Sequence, residues 1–282
     1  MYRTTVGVSA VLTTMLVMTV SASRAALVFD DFSYSGNLST NNGGSGWAAG
    51  WGAISGNPTN TSTISATSPN LSYSAGGYSY TQSGTSAHVQ GSNNGYRGMN
   101  RDLASPMSGT IWFTILANNA SGGTGVSGIQ FNNPDASSQD YNQGNYDVLI
   151  SASNLNVRYN GTTTTGVVTG LATATTHLIL GQWIIDNTAG VNDTLNVWVD
   201  PADVNAPGTP AFTANTGDLG ANGLTRVGIA TWGDGTRTGS VDALRLSNNA
   251  SALNEVTVPE PSALSVLLVG VAGLIRRRRK QA

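Results

Sequence analysis

Thr194-Leu195-Asn196-Val197-Trp198-Val199-Asp200 alternates strictly between apolar and other residues. A period of two belongs to a strand, so Leu195, Val197 and Val199 share one face while Asn196 and Trp198 take the other. Just upstream, His177-Leu178-Ile179-Leu180-Gly181-Gln182-Trp183-Ile184-Ile185 is apolar on both faces. Such a run is expected of a central strand between two packed layers. Residues 187–193, which join the two, have the composition of a hairpin connection. A sheet built on this pair needs a second sheet to cover it, and the pattern predicts an all-β antiparallel sandwich.

The same reading continues outward in both directions. Strands are expected over 27–32, 110–117, 128–131, 146–152, 155–159, 177–186, 194–200, 226–231 and 241–246, with Asn154 as a hairpin connection. Stretches 37–46, 55–70, 118–125 and 132–144 are loops by their Gly, Asn and Ser content. No fixed period of tens of residues recurs, which argues against a solenoid or propeller.

Both ends have a separate character. Arg3 precedes an apolar, Thr-rich run over 6–20, and Ser23-Arg24-Ala25 carries small residues where signal peptidase reads them. Residues 1–25 therefore read as a signal peptide, 26–250 as the sandwich domain, 251–257 as a linker and 258–282 as a tail. The tail runs Val258-Pro259-Glu260-Pro261, then an uncharged stretch to Ile275, then Arg276-Arg277-Arg278-Arg279-Lys280. A helix over 261–275 spans about 22 Å, short of the ~30 Å hydrocarbon core, a deficit that arginine snorkelling can cover. The cations belong on the cytoplasmic side, with everything before Pro259 outside. A plain transmembrane anchor is one reading. The order Pro-Glu-Pro, short apolar helix, terminal Arg cluster resembles the PEP-CTERM sorting signal of bacterial exported proteins, a tail also labelled an ice-binding-protein C-terminal domain. That resemblance implies an exosortase-type membrane protease as partner, transient anchoring in the inner membrane, and release to the cell surface or beyond.

Between the ends, residues 26–257 hold six arginines and no lysine against thirteen aspartates and Glu255, a net charge of −8. A nucleic-acid partner needs phosphate-neutralising cations, so that class is excluded. Cysteine is absent, which removes disulfides, thiolate metal sites and thiol nucleophiles. Leu27-Val28-Phe29-Asp30-Asp31-Phe32-Ser33-Tyr34, Gly46-Trp47, Gly50-Trp51, His177 to Gly181, Asn192 to Pro201 and Val241-Asp242-Ala243-Leu244-Arg245-Leu246 follow in order. Together they resemble the laminin-G/concanavalin-A-like jelly-roll domains that precede such tails. Gln182-Trp183 and Ala243-Leu244 depart from that pattern, and no ligand-contacting motif is matched.

Catalytic chemistry is scarce. Glycoside hydrolysis uses two carboxyl groups, and the only glutamates are Glu255 and Glu260, outside the sandwich. Asp30 and Asp31 point to opposite faces of a strand and cannot pair, which leaves Asp234 with Asp242 as a nominal alternative. There is no Gly-x-Ser-x-Gly, and His88 and His177 alone make no zinc signature. Asp193, Asp200, Asp203, Asp234 and Asp242 are candidates for a structural calcium, the one cofactor considered, although Asp in turns ordinarily serves the backbone. Trp198, Trp47, Trp51 and Trp232 are candidate sugar platforms, with burial in the core as the alternative. The expectation is an exported, non-catalytic surface or matrix protein in contact with exopolysaccharide. A jelly-roll glycan hydrolase is the alternative, and an ice-binding surface is a third, disfavoured because Thr162–Thr165 and Thr173–Thr176 are short and irregular.

Overall fold

The computed structural model describes residues 27–52, 63–67, 69–80, 84–90, 95–119, 125–132, 146–159, 162–215, 217–220, 222–233 and 239–254. These residues form an antiparallel β-sandwich of jelly-roll type. The larger sheet starts from the pair that decides the fold. β13 (Thr176–Ile185) lies between β14 (Thr194–Val199) and β8 (Gly109–Asn119). Beyond β14 comes β15 (Phe212–Asn215), and beyond β8 comes β17 (Gly239–Ser247). The far edge of β17 is shared by β1 (Leu27–Asp30) and β6 (Ser86–Gln90), and β6 leads on to β3 (Thr63–Thr67) and β2 (Gly36–Asn37). The smaller sheet has the order β12 (Thr162–Val168), β11 (Asn154–Tyr159), β10 (Tyr146–Ser151), β9 (Val126–Phe131), β16 (Leu224–Gly233), β7 (Gly95–Met107).

Alternation along β14 puts Leu195, Val197 and Val199 opposite Trp183, Gly181 and Ile179 of β13. These side chains enter the core between the sheets, where Phe113, Phe131, Trp183 and Tyr146 form the aromatic centre. Phe113 and Phe131 stand 4.7 Å apart, Phe131 and Trp183 5.7 Å, and Tyr146 and Trp183 5.4 Å. Glycine at 181 makes room for this group, since a Cβ there would fall 1.9 Å from Phe113. In β17 the register shifts between Asp242 and Arg245 with Ala243 at φ 51°, a bulge that turns both Asp242 and Ala243 away from the core. The bulge also marks the point where the edge partner of β17 changes from β6 to β1.

A second apolar layer covers part of the larger sheet from outside. The hairpin β4 (Tyr73–Ala75) and β5 (Tyr78–Tyr80) and a 3₁₀ turn, Ala250–Asn254, bring Tyr78, Tyr80 and Leu253 against Leu116, Leu178 and Leu180. Leu253 is buried, so the folded domain extends to Asn254 instead of giving way to a linker after 250. Two further corrections concern strands. Residues 63–67 form β3 inside the expected loop 55–70, and β7 runs through a stretch for which no strand was expected. Residues 133–144 of the expected loop 132–144, the signal peptide and the tail lie outside the described residues. No helix among the described residues is long and apolar enough to cross a membrane.

Candidate functional site

Trp51 is buried, and its Nε1 donates to Asp30 Oδ2 at 2.9 Å, while Trp47 Nε1 donates to the Phe29 carbonyl at 2.9 Å. The Arg101 guanidinium sits 4.6 Å above the Trp47 ring and 2.6 Å from Asp30 Oδ2. Both rings thus clamp residues 31–52 onto β7; Trp51, being buried, presents no sugar platform, and Trp47 is half-buried against Arg101. Trp198 is corrected more sharply. Alternation does turn it away from Leu195, but the second apolar layer covers it. It stacks on Trp112 at 5.8 Å and donates from Nε1 to the Gly208 carbonyl at 3.1 Å. Only the backbone of Trp232 is described. It is on β16 in register with Tyr96 and Val126, four residues beyond Gly228.

The aspartates proposed for calcium are separated and mostly engaged by backbone. Asp193 accepts from the amides of Asp186 and Leu219, and Asp203 from that of Asn205. Asp200 accepts from the Leu178 amide and pairs with His177 Nδ1 at 2.5 Å, while His177 Nε2 faces the Ala172 carbonyl at 2.9 Å. Each ring nitrogen faces an acceptor, and the Asp200 hydrogen bond raises the pKa of the ring. Buried Asp242 accepts from the amides of Leu71 and Ala243 and the Tyr80 hydroxyl. Asp234 lies outside the described residues. No three His, Cys, Asp or Glu gather into a metal-holding group among the described residues.

A different set of residues stands out, on the face of the smaller sheet turned away from the sandwich core. On β11, β10 and β9 the core takes Val157, Val148, Ile129 and Phe131, so alternation sends Arg158, Asp147 and Gln130 to the other side. Register aligns them: Arg158 opposes Asp147, Asp147 opposes Gln130, Gln130 opposes Gly228, and Gly228 opposes Asn100. One polar row therefore crosses five strands. Beside it runs a floor of small residues, Gly128, Ala230 and Gly98, likewise in register.

This row is withdrawn from water: Asp147 is 0%, Gln130 1%, Arg158 6% and Asn100 8% exposed. Yet both Asp147 carboxylate oxygens, Gln130 Oε1 and Asn100 Oδ1 accept no hydrogen bond among the described residues. Arg158 Nη1 approaches Asp147 Oδ2 only to 3.6 Å, beyond hydrogen-bonding distance. Burial pushes the Asp147 pKa up to about 7, against the opposing pull of Arg158. The glycines follow from the way the amides lie across the sheet. A Cβ at Gly98 would meet Gln130 Oε1 at 2.9 Å, and one at Gly228 would meet Asn100 Oδ1 at 2.0 Å. Sequence reading missed this row, although the signal for three members was present in the alternation of strands 128–131, 146–152 and 155–159.

Residues 257–280 match the PEP-CTERM protein-sorting motif. This sorting address implies export, transient membrane anchoring and processing by an exosortase, a membrane protease. No curated protein matches the chain. Among solved structures, the fold is similar to the endo-beta-1,4-glucuronan lyase from the fungus Trichoderma reesei, with 10% identity over 84% of this chain and 100% of that one and a TM-score of 0.48. It is also similar to the PL-14 alginate lyase from Aplysia kurodai (9% identity, 80% and 99% covered, TM-score 0.46). The Emp47p carbohydrate recognition domain is a third (10% identity, 79% and 97% covered, TM-score 0.43). Likeness at this level assigns no activity to the chain.

Proposed function

We propose that the exported domain is a non-catalytic polysaccharide-binding module of the cell surface or extracellular matrix, and that it holds its ligand on the outer face of the smaller sheet. The observation that carries this reading is the buried row of unpaired acceptors at Asp147, Gln130 and Asn100. A buried polar atom without a partner costs about 1–3 kcal/mol, so several in one row need a reason. A sugar chain supplies one, because each hydroxyl brings a donor. Strands stand about 4.8 Å apart, close to the length of one pyranose, so a chain crossing β11, β10, β9, β16 and β7 meets one strand per residue over roughly 19 Å.

The same face supports binding over cleavage. Asp147 is the one carboxyl of the row among the described residues. The next carboxyl in phase with it, Asp102, is three strands away and held by Arg226 Nε at 2.6 Å. Glycoside hydrolysis uses two carboxyls roughly 5–9 Å apart. His88 and His177 belong to the other sheet. The test is retention of the full chain, purified in detergent, on immobilised exopolysaccharide of the producing cells. Retention by the wild type and its loss in Gln130→Leu is the expected outcome. Failure of the wild type to be retained, or shortening of the polymer by it, would overturn the reading.

A further inference from the structure

The unpaired atoms of the row share one chemical character, and that narrows the ligand. Asp147 Oδ1 and Oδ2, Gln130 Oε1 and Asn100 Oδ1 are all acceptors. Building on the polysaccharide reading, we propose that this face selects neutral, hydroxyl-bearing chains and rejects polyanions such as polyuronates. A hydroxyl can donate to each of these oxygens, whereas an ionised carboxylate or sulfate has only lone pairs to offer. The cations on this face among the described residues do not compensate. Arg158 stands 3.6 Å from Asp147, and Arg226 is held by Asp102 at 2.6 Å, so each positive charge is already opposed. Over longer range the net charge of −8 on residues 26–257 repels a polyanion before contact. Asp147 is the sharpest element, because a carboxylate accepts in every rotamer and carries the charge as well.

The discriminating experiment compares three polymers at pH 8, where Asp147 is ionised: an uncharged glucan, a polyuronate, and the same polyuronate methyl-esterified. The last has the backbone of the second, with each carboxylate replaced by an uncharged methyl ester. The full chain in detergent should bind the glucan and the ester at least about tenfold more tightly than the free polyuronate, tenfold being the equivalent of 1.4 kcal/mol. Asp147→Asn replaces an acceptor by an N–H donor and removes the charge, so the preference should narrow to within about threefold while the glucan is still held. Equal or tighter binding of the free polyuronate would overturn this inference and leave the polysaccharide reading standing. Full preference retained in Asp147→Asn would remove Asp147 as its source. Binding of none of the three would overturn the underlying reading, and this inference with it.

Discussion

Asp30 and Asp147 are equally hidden from water, 1% and 0% exposed, and each faces an arginine. Their surroundings are opposite. Asp30 accepts from the Phe32 amide, the Tyr34 hydroxyl, Trp51 Nε1 and Arg101 Nη1, the last at 2.6 Å. Arg101 in turn donates to the carbonyls of Ala49 and Gly43 and to Asn42 Oδ1. Among the described residues Asp147 accepts no hydrogen bond, and its arginine stops at 3.6 Å. The first site is a closed network that fastens the start of the chain to β7. The second is a row of buried acceptors without hydrogen bonds on the outer face of the smaller sheet. Buried ion pairs are weak contributors to stability in either case, but a satisfied network is costly to break and an unsatisfied one is costly to keep.

Breaking the closed network should give the largest effect. Asp30→Ala strands Arg101 beneath Trp47 and leaves Trp51 Nε1 and the Tyr34 hydroxyl without their acceptor. Removing one partner of a buried pair costs about 3–5 kcal/mol, which urea unfolding monitored by tryptophan fluorescence would record. A loss below about 1 kcal/mol would mean that the network does not hold the loop, and the contrast with Asp147 would disappear.

Acidity offers a second test, because burial raises the Asp30 carboxyl as well. Burial raises both Asp147 and Asp242 to about 7, well above the ordinary 3.8. Between about pH 4 and pH 7 the folded chain therefore retains protons that the unfolded chain has lost, so stability falls as pH rises through that window. Each such group contributes a slope of about 1.4 kcal/mol per pH unit while it is protonated only in the folded state. His177 works in the same direction. Its pKa is raised by Asp200, so its contribution is complete below the unfolded value near 6.5 and is lost as pH rises through the folded one. Chemical denaturation at pH 5 and pH 8 should find the protein more stable at pH 5, and Asp147→Asn should flatten the profile by one group's share. A wild type that is more stable at pH 8 would contradict the assigned burial of these acids.

The two regions were unequally legible in the sequence. Strands β13 and β14 announce themselves because each has an unbroken apolar face, and the tail does so through Pro259-Glu260-Pro261 and its terminal cations. Strand β7, Gly95–Met107, is built from Gly, Arg, Asn, Ser and Pro as much as from apolar residues. Pairing with β16 overrides that weak local preference. Asn100, which sits in β7, was invisible for that reason. Arg158, Asp147 and Gln130 lie in strands read correctly, and their outward phase followed from alternation. Their burial did not follow, because polar residues at alternate positions are the ordinary mark of a wetted face. Only the long-range register across β11, β10, β9, β16 and β7 joins them into one row. Trp198 teaches the converse: its face was evident from β14 alone, but its burial comes from Trp112 on β8, on which it stacks, and from the loop that brings the Gly208 carbonyl to its Nε1.

The smallest expected effect carries an unusual sign. Gln130→Leu is close to volume-neutral, and the atom it removes, Oε1, is 1% exposed as part of its residue and unpaired. An apolar group in place of an unsatisfied buried acceptor is neutral or stabilising, so unfolding in urea should be unchanged or shifted upward by no more than about 1 kcal/mol. Gly98 constrains the outcome, because the Gln130 side chain lies across it and a leucine must occupy the same space over the same glycine. If Gln130 were part of the scaffold in the way Asp30 is, the variant would lose stability together with glycan retention. A variant that folds as firmly as the wild type but no longer retains polysaccharide would separate ligand binding from folding at this one side chain. A variant destabilised by more than about 1 kcal/mol would place Gln130 with the closed network and leave Asp147 and Asn100 to carry the face alone.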